Sequence, residues 1–475
     1  MRPLIRDATP GLLRACLGTC VLAALLGGEL PSLSRSAQAQ AAAPARGAHD
    51  LQALLAAAEG DHPGLEAREH AILAARARLD EARISPFFQW TATAALSLAP
   101  EASGTPIFSP DDQLPLSNAW RPLAQVGIEG VVPLSITKLR DLRRAARANL
   151  DASRGALESA RARVRFDVRR AYFMLQMSLD IAQMISEVRG RLASAVERLE
   201  AALERGDPEA DELDLFKLRR ALSDIDSHRS DARQLEQSMR GALRALTGLE
   251  AIRVPECPLE PLRGELPGLG ALLERSTEAR PERQMLEAAL RARRANVSLN
   301  VAAFFPDLGL AFWANHSVAP GITDQTNPFV IDRANYTSIG AALVARWSLD
   351  LWGNAYRTDR ARAELAQTEA DAAMADRGMR LEVETTFTRF EAASERLETW
   401  ERGHREGRRW FITAAQGYQV GTVDADQLVD GVRGYMTARY AHLQAIVELD
   451  TSAAELERVV GEAVFPAEAW PRCEE

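Results

Sequence analysis

Two stretches set acidic side chains close together beside a glycine: GDPEADEL from Gly206 and GTVDADQLVD from Gly421. Carboxylates at such spacing can hold calcium, act as an acid–base pair, or cap a helix where the chain reverses. Neither stretch has the D-x-D-x-D-G core with a glutamate at position twelve that a calcium loop requires. The other reactive residue types form no constellation. The seven histidines are scattered, and there is no HExxH, no Cys/His cluster at metal spacing, no G-x-S-x-G and no P-loop. His62, His70, His316, His404 and His442 read as surface or packing residues. No catalytic, cofactor-binding or metal-binding residue is assigned, and the chain is not read as an enzyme.

What the two stretches interrupt is more informative. From Leu139 to Leu203 small or apolar residues recur about every 3.6 positions without an intervening proline, the pattern of one amphipathic helix. At 1.5 Å per residue it would run for about 100 Å. Its seam is rich in Ala and Ser, which suits close lateral packing of several helices better than a two-stranded zipper.

The chain is also duplicated. His62-Pro63 and the helical pattern after it answer to Arg280-Pro281, Phe87-Phe88 to Phe304-Phe305, and Val132-Pro133-Leu134 to Trp347-Ser348-Leu349. Gly206 answers to Gly421, and Leu246-Thr247-Gly248 to Val459-Val460-Gly461. Landmarks in one order at a nearly constant offset mark two copies of one unit. Each copy has a helix, two short alternating segments around a polar loop, a long helix, the glycine–acid break and a second long helix.

The alternating segments place Ala124, Val126, Ile128 and Val132 on one face against Gln125, Gly127 and Glu129. Similarly, Ile339, Ala341, Leu343, Ala345 and Trp347 oppose Ser338, Gly340, Ala342 and Arg346. Strands of about ten residues with one apolar face fit an outer-membrane barrel, although a half-buried soluble sheet alternates in the same way. Aromatics such as Trp90, Trp120, Tyr336, Trp347 and Trp352 gather near the strand ends, as interfacial girdles do. Four strands cannot close a barrel, and lipid does not tolerate an open edge. Spanning strands therefore require several protomers.

Arg2, Arg6 and Arg14, an apolar stretch to Gly28 and Ala37-Gln38-Ala39 form a signal peptide with cleavage near Gln40; the competing reading is an N-terminal anchor. Cys20 lies inside the apolar stretch, which argues against a lipoprotein box. Beyond it no run of eighteen apolar residues occurs. Cys257 and Cys473 either form a disulfide, as an oxidising compartment permits, or remain two thiols. Net charge −9 and pI near 5.5, with no basic block, argue against a nucleic-acid partner. The expected division is a signal peptide (1–39), a first repeat (40–248), a linker (249–279), a second repeat (280–461) and a tail (462–475). Strands are expected near 87–98, 122–133, 305–316 and 337–349, and turns near 206 and 421.

The order of these parts, HDLQALLAAAEGDHPGLEA near the start, FFPDLGLAF, and YQVGT followed by the closing helix to Gly461 resemble the TolC-like outer-membrane efflux protein family over nearly all of the mature chain. The resemblance implies a mainly α fold with a small membrane β part: a homotrimer with a shared twelve-stranded barrel in outer-membrane lipid and long helices forming an α-barrel through the periplasm. It implies an exit duct of a tripartite efflux or type I secretion system, without cofactors, working with a periplasmic adaptor and an inner-membrane transporter. The alternative is a periplasmic adaptor or coiled-coil scaffold, against which two complete units with paired strands argue. On the family pattern Val420, Gly421 and Thr422 match the adaptor-docking turn of the second repeat. Arg205 and Gly206 occupy the first-repeat turn, where Pro208 departs from the pattern. Asp207, Asp211, Asp424, Asp426 and Asp430 are candidate pore-tip acids; the competing reading is that one or two of them cap the following helix, and one acid can serve both purposes.

Overall fold

A computed structural model describes residues 49–102, 116–208, 210–322, 332 and 334–471. The expected signal peptide lies outside these residues, as do Cys16, Cys20 and Cys473.

The described elements run α1 (Leu51–Asp61), α2 (Pro63–Ile84), β1 (Trp90–Ala102), β2 (Leu116–Pro133), α3 (Ile136–Glu204) and α4 (Glu212–Thr247). Then follow α5 (Leu269–Ala279), α6 (Pro281–Ala302), β3 (Asp307–Val318), β4 (Tyr336–Arg346), α7 (Leu351–Gln419) and α8 (Ala425–Val460). Corresponding helices have identical lengths: 11 residues for α1 and α5, 22 for α2 and α6, 69 for α3 and α7, and 36 for α4 and α8.

The boundaries repeat for local reasons. Pro63 and Pro281 each stand at the first helical position, and the residues before them, His62 and Arg280, are extended, as a following proline demands. The His62 ring also accepts the Gly64 N–H at 3.1 Å, so this histidine caps a helix. Gly248 and Gly461 end α4 and α8 in the left-handed region at φ 72° and 89°. The segment between the repeats contains α5 as its last eleven residues, the counterpart of α1. An eleven-residue helix next to Pro281 leaves little periodicity to detect in sequence.

The strands form one antiparallel sheet in the order β1-β2-β3-β4. Its register puts Leu96 opposite Ala124, Val126 opposite His316, Ile128 opposite Ala314, and Phe312 opposite Ala341. Because paired residues share a face, one side carries Leu96, Leu98, Val126, Ile128, Ile339 and Leu343, and all of them are exposed, Leu96 and Ile339 at 81%. The other side carries Thr91, Thr93, Ser97, Gln125, Glu129, Asn315 and Ser338. Strand limits differ from the sequence expectation: β1 and β2 extend further toward their shared loop, to Ala102 and from Leu116, β4 ends at Arg346, and two strand starts are delayed by prolines. Pro86 starts a short 3-10 turn (Ser85–Phe87), which holds Phe87 and Phe88 outside β1. Likewise β3 starts only after Pro306.

The main core lies away from the sheet, where α1, α3, α4 and α8 meet the segment between the repeats; Phe173, Leu175, Ile185, Leu443, Ile446 and Leu456 are almost fully buried there. Trp470 stacks on Phe173 at 6.0 Å. The segment is tied down by two buried carboxylates, Asp180 accepting from Leu259 N–H and Asp450 from Leu262 N–H, each at 2.8 Å. Gln176 also donates to the Pro255 carbonyl at 3.2 Å. Cys257 is disulfide-bonded. Of the remaining histidines, His404 stacks between Tyr435 and His442, which is a packing role. No described helix is long and apolar enough to cross a membrane.

Candidate functional site

Helices α3 and α7 both leave the sheet directly, so their C-terminal turns lie at the far end, about 100 Å away for 69 residues at 1.5 Å each. There the chain reverses twice by the same device. Thr422 N–H donates to the Gly417 carbonyl at 2.9 Å and Gly421 N–H to Tyr418 at 3.4 Å. In the first repeat Asp207 N–H donates to Ala202 at 3.1 Å and Gly206 N–H to Leu203 at 3.0 Å. Both patterns need a left-handed residue, and glycine supplies it at φ 76° and 71°. Arg205 and Val420 are the residues that close the two helices. Two extra residues separate Gly206 from the next helix, and Pro208 is among them.

The two turns come together. Asp207, Asp211 and Asp214 from the first, and Gly421, Thr422 and Asp424 from the second, line a shared open cavity of about 660 Å³. Val420 projects outward and is 74% exposed.

The acids divide by role. Asp211 caps α4 by accepting from Leu213 N–H at 2.9 Å, and Asp424 caps α8 by accepting from Gln427 N–H at 2.7 Å. Asp426 instead pairs with Lys217 across the hairpins at 2.7 Å, and Lys217 also reaches Asp214 at 3.0 Å. The hydrogen bonds that Lys217 donates to Asp426 and then to Asp214 hold its ammonium pKa well above the ordinary range. Asp430 lies 3.6 Å from Arg433, one turn along α8. Burial raises the nearby Tyr418 phenol. Lys217 and Asp214 were missed in the sequence. Their i, i+3 spacing is visible there, but nothing in it points to Asp426. Among the described residues no group of three or more His, Cys, Asp or Glu is placed to hold a metal ion.

Residues 272–462 match the outer membrane efflux protein family. Comparison with curated proteins gave no match. Among solved structures, the chain resembles the Campylobacter jejuni CmeC outer membrane channel at TM-score 0.72 and 15% identity, covering 88% of this chain and 86% of that one. It resembles the open state of the Neisseria gonorrhoeae MtrE outer membrane channel at 0.68 and 18%, covering 87% and 89%. It resembles the outer membrane protein VceC from Vibrio cholerae at 0.69 and 16%, covering 87% and 96%. The second repeat thus carries the outer membrane efflux protein pattern, and along its length the chain has the fold of TolC-like outer membrane channels.

Proposed function

We propose that this protein is the outer-membrane exit duct of a tripartite efflux or type I secretion system. Three copies share a twelve-stranded barrel, and their helices extend into the periplasm. The observation that carries the reading is the sheet: four strands with open edges and one predominantly apolar exposed face, continuous with helices 69 residues long. An apolar face of that extent needs lipid against it, and open edges in lipid need strands from other copies. A periplasmic adaptor with a single hairpin would have no use for such a face. No bond-making step is required of a duct.

In the same proposal, the turns at Val420-Gly421-Thr422 and Arg205-Gly206 receive a periplasmic adaptor, which joins the channel to an inner-membrane transporter. Asp207, Asp211, Asp424, Asp426 and Asp430 face the entrance. The repeats 40–248 and 280–461, the second preceded by α5 as the first begins with α1, are the units that each copy contributes.

The test is fractionation followed by reconstitution. The mature protein should sediment with outer membranes, require detergent, and give discrete conductance steps in a planar bilayer. Recovery of a detergent-free soluble monomer would refute the proposal.

A further inference from the structure

The two repeats have traded partners unequally. Helix α3 packs against α2 of its own repeat and against α6 and α8 of the other. Helix α7 packs against α5, α6 and α8 of its own repeat and makes no comparable contact with α2 or α4. Among the described residues of one chain, the face of α7 that corresponds to the α8-covered face of α3 is therefore uncovered.

Counting from the starts of the helices, Phe166 of α3 corresponds to Leu381 of α7, and Arg169 to Glu384. By the same count Ala454 of α8 corresponds to Gly241 of α4, and Glu457 to Arg244. Phe166 is buried at 8% exposure, whereas Leu381 is 62% exposed. A cavity of about 380 Å³ beside Phe166 has walls from α1, α3 and α8. Its counterpart of about 320 Å³ has walls from α5, α6 and α7, and among the described residues no third long helix lines it as α8 lines the first. On α4, a side chain added at Gly241 would find only the Arg244 guanidinium within 4 Å, so that surface too is open.

Charge settles what belongs there. Arg169 pairs with Glu457 across the α3–α8 contact, and both side chains are largely buried. At the corresponding positions both signs are reversed together: Glu384 on α7 and Arg244 on α4. One reversal would set like charges face to face. Two reversals preserve the pair.

We infer that α4 of a second copy of this chain lies along α7, with Leu381 against Gly241 and Ala245 and Glu384 paired with Arg244 of that copy. The inference rests on the shared-barrel reading and names one of its contacts. A single operation satisfies every open face. It carries β1 of the next copy to β4 as β3 lies beside β2, and α2 to α7 as α6 lies beside α3. On its own helix Glu384 also meets Arg380 at 3.4 Å, an exposed contact that leaves its other oxygen available.

The test uses the full-length protein in detergent. Glu384→Arg and Arg244→Glu should each weaken the trimer about tenfold by light-scattering mass on dilution, and the double variant should restore it, as expected for residues coupled in one pair. The double variant has the polarity of the intrachain pair. A trimer indifferent to both single changes, or a double variant no better than either, overturns the pairing and leaves the shared barrel standing. A wild-type monomer in detergent overturns both. Should a single variant fail to fold, Leu381→Cys with Ala245→Cys gives a charge-independent readout. In native membranes a bifunctional maleimide should yield covalent dimers and trimers, and a monomer band from a trimeric sample overturns the contact.

Discussion

The Lys217 ammonium lies 2.7 Å from Asp426 Oδ2, and so ties α4 of the first hairpin to α8 of the second beside the two turns. Asp214 holds the same lysine at 3.0 Å. The contact is exposed, and such pairs contribute little to folding because water screens them. Its consequence is positional: it sets how far apart the hairpins stand where they border the shared cavity. Lys217→Met should leave the thermal midpoint unchanged and raise single-channel conductance. Equal conductance would show that packing along α3 and α8, rather than this pair, spaces the tips.

What could be read from sequence and what could not follows from range. The long helices were legible from Leu139 onward because period and cap chemistry are local, and the duplicated glycines at Gly206 and Gly421 located both reversals. Capping was legible as a role for the acids near the turns, but not that Asp211 and Asp424 in particular would take it. Strand limits were less so: Pro86 and Pro306 delay the strands by a few residues, and alternation alone does not register that. Contacts between distant segments were invisible, among them Asp426 with Lys217 and Asp450 with Leu262 N–H. Each joins residues whose nearness exists only after folding.

The two faces of the sheet should respond oppositely to the same charge. Leu96 and Ala95 are neighbours near the middle of β1 and point to opposite sides. Leu96→Arg places a guanidinium against hydrocarbon at a cost of about 2–4 kcal/mol near the midplane. Ala95→Arg places it in the lumen, where water remains. The first variant should fail to accumulate as trimer in outer membranes. The second should assemble normally and shift ion selectivity toward anions. Equal accumulation of the two would mean that the exposed apolar face does not meet lipid.

Asp450 should make stability depend on pH. Its carboxyl is fully buried and accepts one backbone N–H, and burial pushes its pKa up to about 8 from 3.8. Between those values the native chain holds a proton that the unfolded chain has released. Stability from this group is thus complete at low pH and is lost as pH rises, by up to about 1.4 kcal/mol per pH unit. Asp450→Asn keeps an oxygen for Leu262 N–H and removes the titration. Wild type should lose thermal stability relative to the variant between pH 5 and pH 8. A difference between the two that stays constant with pH would show the carboxyl to be ionised in the native state.

Docking at the tips should depend on the shape of the turn more than on its stability. Gly421 has open space around it, but its φ of 76° strains any residue with a side chain. Gly421→Trp therefore combines a bulky obstacle with a weakened reversal, and it should block export while trimer and barrel persist. Val420 separates the two effects, because it is 74% exposed and its φ of −101° admits any side chain. Val420→Asp should leave the turn intact and reduce export in cells at least about tenfold if the loss reaches about 1.4 kcal/mol of binding. The purified variant should conduct as wild type does in a planar bilayer, since the lumen is untouched. Undiminished export by Val420→Asp, with Gly421→Trp still defective, would assign the glycine phenotype to a distorted reversal and move adaptor docking away from this turn.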